Sequence, residues 1–561
     1  MKKFAGVLAA AVCVAGLLAA VPAAAHPGPQ YVGTEYDQGG STQAIDGSLP
    51  HVDQLADQIT RTTDTMLRDL ARERAKLPYG AIDADRHARP QLTTYPPAAG
   101  SPVSDQYAVT LGQSGRRTGS FVYQVAARKT DTNLEKDTSW TSFSFAGPVT
   151  VQVHKLSGTA TGCLVRPESA RIRTHFADNT CSFVLGQAAN VSVEFTPNTT
   201  NPVLHPMLVF ANPPEVDVPP ASDPNVLYLG PGLHQLGTVQ LHSNQTVYIA
   251  GGAWVQGTFK GVGVHDVVIR GRGVIDGTYL DLGDQDANKS QPGLIDIDCH
   301  DPGQPPHAAC SPGSNSSNVV VDGLTFVNGP RFNVRVLGDH ITVHNLKVMS
   351  WWYSTDCIWA GTASLVEGNF CKVNDDALKP MTGDSVIRDN VVWQLENGAP
   401  FMISWNILTD QADFHVYDND VIHAEHYWLS PQAIFRARHA TPGHLQRFLF
   451  EDIRVEDASW RLFYIILEKH PKWYDPALGF GQISGLIFRN ITARTPFTMP
   501  NVFTGGDPDH LVSDATLADV SIAGTCVASA ADGNFQIDPA TTDEIRIVKS
   551  AHNPCPHRPG S

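Results

Sequence analysis

The sequence predicts an all-β protein, an N-terminal β-sandwich followed by a right-handed parallel β-helix, on three observations. Residues 106–211 consist of short alternating segments, Ser120–Val125, Val149–Val153 and Val191–Phe195 among them, separated by Gly, Asn and Asp turns, the pattern of an antiparallel sandwich. Asn212-Pro213-Pro214 through Asp223-Pro224 is a stiff, Pro-rich linker. Beyond residue 225 a motif recurs: Val319–Phe326, Ile341–Val348, Leu365–Phe370 and Val386–Val392 each carry an apolar alternating strand broken at Gly or Asn.

In that repeat the corner positions are Gly323, Asn345, Gly368 and Asn390, so the steps are 22, 23 and 22 residues. Gly and Asn tolerate the left-handed backbone of a sharp corner. A period near 22 is too short for a propeller blade, and the copies are too rich in strand for a helical solenoid. One coil cannot bury its inward face alone; stacked coils share a continuous core. Weaker copies surround Gly251, Gly271, Asn419, Asp452 and Asn490. A large sandwich with accidental spacing is the competing reading.

The remaining elements follow in chain order. Lys2 and Lys3, the apolar run Val7–Val21 and the small residues Ala23-Ala24-Ala25 read as a signal peptide over 1–25, cleaved near Ala25, which implies a secreted protein. The run is too short to span a bilayer. Residues 26–105 form an N-terminal extension with one helix, Val52–Leu77, whose apolar positions are Leu55, Ile59, Met66, Leu67, Leu70 and Ala71. The sandwich occupies 106–215 and the parallel β-helix 225–550.

The chain of 561 residues has a net charge of −16. The leader takes Lys2 and Lys3 with it, leaving 38 basic against 56 acidic residues, net −18. That excludes nucleic acid and an anionic membrane as expected partners and disfavours a polyanionic substrate. Eight cysteines remain after the leader's Cys13, an even number that suits disulfides in an exported chain. Near neighbours suggest Cys163 with Cys181, Cys299 with Cys310, and Cys526 with Cys555; Cys357 and Cys371 either bridge or stay as buried thiols. No Cys-x-x-Cys pattern points to zinc, and no cofactor or metal is expected. The protein is expected to be monomeric.

The chemistry concentrates in a short window. Asp356, in Ser354-Thr355-Asp356, is followed 19 and 20 residues later by Asp375 and Asp376 in Val373–Lys379. Like charges at close range resist joint ionisation, and a crowd of carboxylates suits the acid/base work of glycoside hydrolysis. Asp356 and Asp375 are slightly less than one period apart. They are expected on adjacent coils, with carboxyl groups about 6.5–9.5 Å apart, the gap that admits a water and leads to inversion. Consecutive strand residues face opposite ways, so a bend at Asn374–Asp376 is needed for both aspartates to reach one cleft. Lys379 then stands ready to hold one carboxylate ionised while another keeps its proton.

The segments Thr355-Asp356 and Lys372-Val373-Asn374-Asp375-Asp376-Ala377-Leu378-Lys379 resemble the active-site region of glycoside hydrolase family 49, the dextranase and isopullulanase family. The resemblance extends over roughly residues 140–540, through Val209–Pro213, Leu227–Gly232, Val247–Gly257, Val392-Trp393-Gln394 and Gly533–Asp538. It implies a sandwich followed by a right-handed β-helix, an inverting hydrolase of α-linked glucan such as α-1,6-linked dextran, Asp375 as general acid, and Asp356 and Asp376 as the groups that bind and activate water. The family's early Trp-Trp-His segment has no counterpart here, and the helix at 52–77 is unexpected for it. Pectin-degrading relatives carry Ser-His-Gly and Arg-Ile-Lys motifs that this sequence lacks. The alternatives are hydrolysis of another polysaccharide, pectic or arabinan, and a β-helix that binds polysaccharide without cleaving it.

Candidate substrate-binding residues are Asn374, Lys379, Trp352, Trp405 and Asn406. Aromatic faces stack on sugar rings, but alternation sends about half of Trp351, Trp352, Tyr353, Trp359, Trp393 and Trp405 into the core. Glu396, His426 and Glu468 could bond sugar hydroxyls or simply belong to loops. Asp296 and Asp298 read as a solvated face rather than a calcium site. His423 and His426 lack a third ligand.

Overall fold

In this computed structural model, residues 29–82, 90–128, 135–280, 293–299, 315–427 and 430–551 are described. The expected signal peptide at 1–25, Cys310 and Cys555 lie outside them. From Val226 onward, parallel strands stack coil upon coil into one large sheet closed around an axis, a parallel β-helix. Its register is continuous. One inward column runs Val247, Ile269, Val321, Val343, Val366, Ile387, Val416, Phe450, Phe488, Leu517 and Ile547, each paired with the next. A second runs Val255, Ile275, Phe326, Val348, Cys371, Val392, Val421 and Val455. All of these side chains are buried in one cluster, which is why no coil can stand without its neighbours.

The corners carry left-handed residues, as the repeat predicts: Gly323 at φ +81°, Asn345 at +52° and Gly368 at +68°. The fourth is shifted by one. Asp389, at φ +56°, makes the turn, and Asn390 instead joins a ladder of buried amides. Asn369 N donates to Asn390 Oδ1 at 2.9 Å, and Asn390 N donates to Asn419 Oδ1 at 3.0 Å. Each amide so satisfies a main-chain donor that the corner would otherwise leave buried and unpaired.

A third column passes through the functional window: Phe259, Ile295, Val334, Ile358, Leu378, Phe401, Phe435 and Phe463. Its phenylalanines stack, with 5.2 Å between the rings of Phe401 and Phe435 and again between Phe435 and Phe463.

The extension closes the far end of the coil. Tyr31–Tyr36 pairs antiparallel with Thr42–Gly47 and with the last long strand, Thr542–Ser550. The helix Pro50–Arg74 then lies along the outside, burying Val52, Ala56, Ile59, Thr63, Met66 and Leu70. Its first half packs on Leu449 and Ile487, its second on Leu365 and Val386. At about 1.5 Å per residue the helix reaches across several coils, and it covers apolar residues that the outer face of those strands would otherwise expose.

Residues 91–212 form two further sheets whose inner faces share one buried cluster that includes Phe143, Val151, Phe183, Val193 and Val209. The pairing is antiparallel except where Met207–Asn212 runs parallel to Thr138–Ala146. This unit docks on the coil through Trp140 and Phe210 against Trp254, Trp351, Phe370 and Trp393. Two buried ionic clusters join the same surfaces. Arg166 bonds Glu194 at 3.1 Å and also Glu456, while His423 bridges Glu194 at 2.8 Å and Asp457 at 3.0 Å. Lys136 meets Glu425 at 2.6 Å. Cys163–Cys181 and Cys357–Cys371 are disulfides; Cys299 and Cys526 are also disulfide-bonded.

Replacing Phe435 by Ala removes the middle of the ring stack. The expected cost is about 3–5 kcal/mol, read from the shift of the denaturant midpoint. A loss of about 1 kcal/mol or less would contradict a tightly packed stack.

Candidate active site

The three aspartates meet on one edge of the coil. Ile358 pairs with Leu378, so Asp356 and Asp376, each two residues earlier, occupy equivalent places on adjacent coils. Cys357 N donates to Asp376 O at 3.0 Å and holds that register. A bend at Asn374–Asp375 interrupts the strand and lets consecutive aspartates serve one trough. Oxygen atoms of Asp356, Asp375 and Asp376, one from each, lie within 4.8 Å of one another. The strands bring Asp376, rather than Asp375, into line with Asp356.

The bend is held from behind. Asn374 Nδ2 donates to Trp351 O at 2.7 Å, and Asn374 Oδ1 accepts from Asn397 N at 3.0 Å. Gln394 Nε2 donates to Asp375 O at 2.9 Å. Gly398, at φ +82°, backs directly onto the pair: a Cβ there would lie 2.2 Å from the Asp375 carbonyl carbon. The Cys357–Cys371 disulfide ties the residue after Asp356 to the strand that leads into Asp375.

Lys379 is buried and shared. Its Nζ pairs with Asp356 Oδ1 and lies 3.1 Å from Asp376 Oδ2. Trp405 Nε1 donates to the same Asp376 oxygen at 3.0 Å. Asp376 Oδ1 is buried and has no hydrogen-bond partner among the described residues. Asp375, half-buried, uses Oδ1 to accept from Asp376 N at 2.9 Å.

These surroundings push the carboxyls apart in acidity. Burial, then the charges of Asp356 and Asp376, hold Asp375 well above the usual carboxylate range. Burial raises Asp356 to about 6, although Lys379 pulls the other way. Burial opposes the charge on Lys379, yet the three carboxylates more than offset it and raise its pKa. A trio of acidic oxygens is also a donor set for a hard cation, but here the Lys379 ammonium already supplies positive charge to two of the three.

Of the predicted binding residues, Asn374 is fully buried, with its amide committed to main chain, so it shapes the bend instead of meeting the trough. Lys379 stands among the carboxylates. Trp352 is half-buried, and its carbonyl accepts from Thr355 Oγ1 at 2.6 Å. Trp405 has the guanidiniums of Arg436 and Arg438 at 4.6 and 5.0 Å from its ring centre, so cations flank the ring expected to be a bare sugar platform. Asn406 follows it, half-buried.

Trp351 and Trp393 belong to the buried contact with the two-sheet unit. Glu396 is buried and accepts from Tyr427 at 3.1 Å, and Glu468 pairs with Arg438 at 2.5 Å. His426 is buried and held neutral, its pKa pushed down to about 3 by burial and then by Arg436. Asp296 and Asp298 are not solvated: both are buried against Arg335, at 2.7 and 3.5 Å.

Sequence reasoning missed Arg436, Gln432, Asn397 and Gly398. Arg436 Nη1 donates to Gln432 Oε1 at 2.9 Å, and Gln432 Nε2 donates to Asn397 Oδ1 at 3.0 Å, so a chain of side chains connects the guanidinium to the bend. Only Gly398 carried a signal, a glycine one period after the aspartate pair.

No family model matches the chain. A segment of 114 residues is 33% identical to the dextranases of Arthrobacter sp. (strain CB-8) and of Arthrobacter globiformis. That segment is 19% of this chain and 18% of each relative. Dex49A from Penicillium minioluteum shares the fold with a TM-score of 0.55 at 15% identity, covering 79% of this chain and 95% of that one. These matches support the resemblance to the family 49 dextranases.

Gly398→Ala tests the backing of the bend. The added methyl has no room, so the aspartate pair must shift; a loss of activity of about 10²-fold is expected from misplacement alone. Circular dichroism should stay that of a folded β protein. Undiminished turnover would show that the bend tolerates displacement.

Proposed function

We propose that the chain is a secreted glycoside hydrolase acting on an α-linked glucan of the dextran type, with Asp375 as general acid and Asp356 and Asp376 as the pair that binds and activates water. The observation that carries this reading is the meeting of three carboxyls in one place, two of them on a single buried ammonium. Asp375, beside two carboxylates, keeps its proton. Asp356 and Asp376 are held by one ammonium. Asp375 gives its proton to the glycosidic oxygen as the bond to the anomeric carbon breaks. Water attacks that carbon and loses a proton to Asp356 or Asp376.

A neutral sugar suits the trough. With Asp375 protonated, the charges of Asp356, Asp376 and Glu468 are matched by Lys379, Arg436 and Arg438. The leader-like N-terminus and the disulfides favour export. This reading carries with it a right-handed coil, an N-terminal β-sandwich at 106–215 and a catalytic β-helix at 225–550.

Family resemblance favours inversion. Retention would instead require one of the carboxylates to form a covalent intermediate with the sugar. Proton NMR of the first product formed from dextran decides: the opposite anomer is expected, and initial release of the same anomer would establish retention.

Asp375→Asn should lower reducing-sugar release from dextran by about 10²–10⁴-fold; near-wild-type turnover would refute the assignment. The pH profile should be bell-shaped. Asp356 must be ionised, so activity falls below about pH 6. Asp375 must be protonated, so activity falls again at higher pH, and Asp375→Asn should abolish that alkaline limb. A profile flat through pH 6 would remove Asp356 from the role of base.

A further inference from the structure

A cavity of about 500 Å³ lies where the two-sheet unit meets the early coils. One wall is aromatic: Trp254, whose Nε1 donates to Asp276 Oδ2 at 2.9 Å, and Tyr279, which is 38% exposed. Leu233, 49% exposed, forms part of its lip. Asn328 lines it too. Only 2% of that residue is exposed, and its amide donates to Thr278 Oγ1 at 3.1 Å. Among the described residues, neither Asn328 Oδ1 nor Ser101 Oγ, both buried, has a hydrogen-bond partner. An aromatic wall with Gln124, Gln256 and Thr278 also in the lining suits a ligand that is hydroxyl-rich on its edges and apolar on its faces, which describes a neutral sugar.

The register connects this cavity to the aspartates. Asp276 pairs with Val327, Val327 with Met349 and Met349 with Lys372. The loops after these strands form one row, and the same row carries Asn374–Asp376. Three coil steps of about 4.8 Å separate the two places, on the order of 14 Å along the axis. One loop touches both. Asn328 lies at its start, and Phe332, four residues on, has Lys379 Nζ 5.3 Å from its ring centre.

We propose that this cavity is a remote subsite for the same glucan chain that the aspartates cleave, gripping a sugar several units from the scissile bond. The inference rests on the function proposed above and deepens it: an enzyme with such a grip distinguishes polymer from short oligosaccharide.

The test is the double variant Tyr279→Ala/Leu233→Ser, both positions exposed and remote from the carboxylates, assayed on dextran and on isomaltotriose. Losing an aromatic contact of this kind should raise KM for dextran about 3–10-fold. The kcat on dextran, all kinetics on isomaltotriose and the melting temperature should stay unchanged. Equal KM for dextran in variant and wild type would overturn the subsite, as would equal losses on both substrates. If the wild type hydrolyses no α-glucan, the proposed substrate falls by itself. The subsite is then judged by the same comparison on the polymer of a polysaccharide panel that it does hydrolyse, and it falls too if none is hydrolysed.

Discussion

Three carboxylates within 4.8 Å, two of them almost wholly buried, are tolerable only because one buried ammonium stands between them. Burial penalises every charge in the group, and mutual repulsion adds to that penalty. Lys379 cannot be replaced in this role by water, since little water reaches it. Its place follows from the ladder. The outward residues beside the third inward column run Asp296, Arg335, Trp359, Lys379, Met402 and Arg436. Lys379 so arrives by strand register alone, and the loops need only deliver Asp356 and the Asp375–Asp376 pair to the cation already waiting there.

The two-sheet unit contributes rigidity on the other side of the same strands. Phe370–Val373 leads into the bend, and its Lys372 is buried with Nζ 3.6 Å from the centre of the Trp393 ring. Trp393 in turn donates to Glu425 at 2.8 Å, and Glu425 is held by Lys136 of the docked unit. A charge pair buried in that way is weak evidence for stability but strong evidence for one geometry, because breaking it strands an unpaired ion. The strand that presents Asp375 is therefore clamped by a second folded unit, so remote residues such as Lys136 bear on how precisely the carboxyls are placed.

Much of this was legible in the chain because the coil imposes local demands at fixed intervals. Corners need residues that accept positive φ, and inward positions need apolar side chains, so Gly323, Asn345 and Gly368 announced the repeat. Asn390 misled by one residue, since aspartate also takes the left-handed turn and asparagine is equally wanted for the ladder. The aspartate cluster was visible for a similar reason: three acids in one period violate the ordinary avoidance of like charge. Arg436 and the chain through Gln432 and Asn397 were not visible. From Met402 to its partner Arg436 the numbering advances by 34 rather than 22, and loops of unequal length erase the periodicity that would predict which later residue lands beside Asp376. Trp405 could be placed near the site but not assigned, because one period says which face a ring occupies and nothing about the guanidiniums that flank it.

The short separation among the carboxyls need not oppose inversion. The rule that sorts inverting from retaining sites was framed for two carboxyl groups, with a water held between the sugar and the base. Here each residue contributes one oxygen to the cluster, and two of the three residues, Asp356 and Asp376, turn an oxygen toward a shared cation. A base formed jointly by Asp356 and Asp376 acts from wherever it holds the water. Retention demands more: a carboxylate must reach the anomeric carbon itself. Asp356 gives Oδ1 to Lys379, and Asp376 gives Oδ2 to Lys379 and Trp405 while its Oδ1 is buried, so each carboxylate would have to turn away from its present setting to become a nucleophile. The cation that makes the crowd of acids tolerable also restrains two of them from covalent attack, and that restraint weighs toward water as the attacking group.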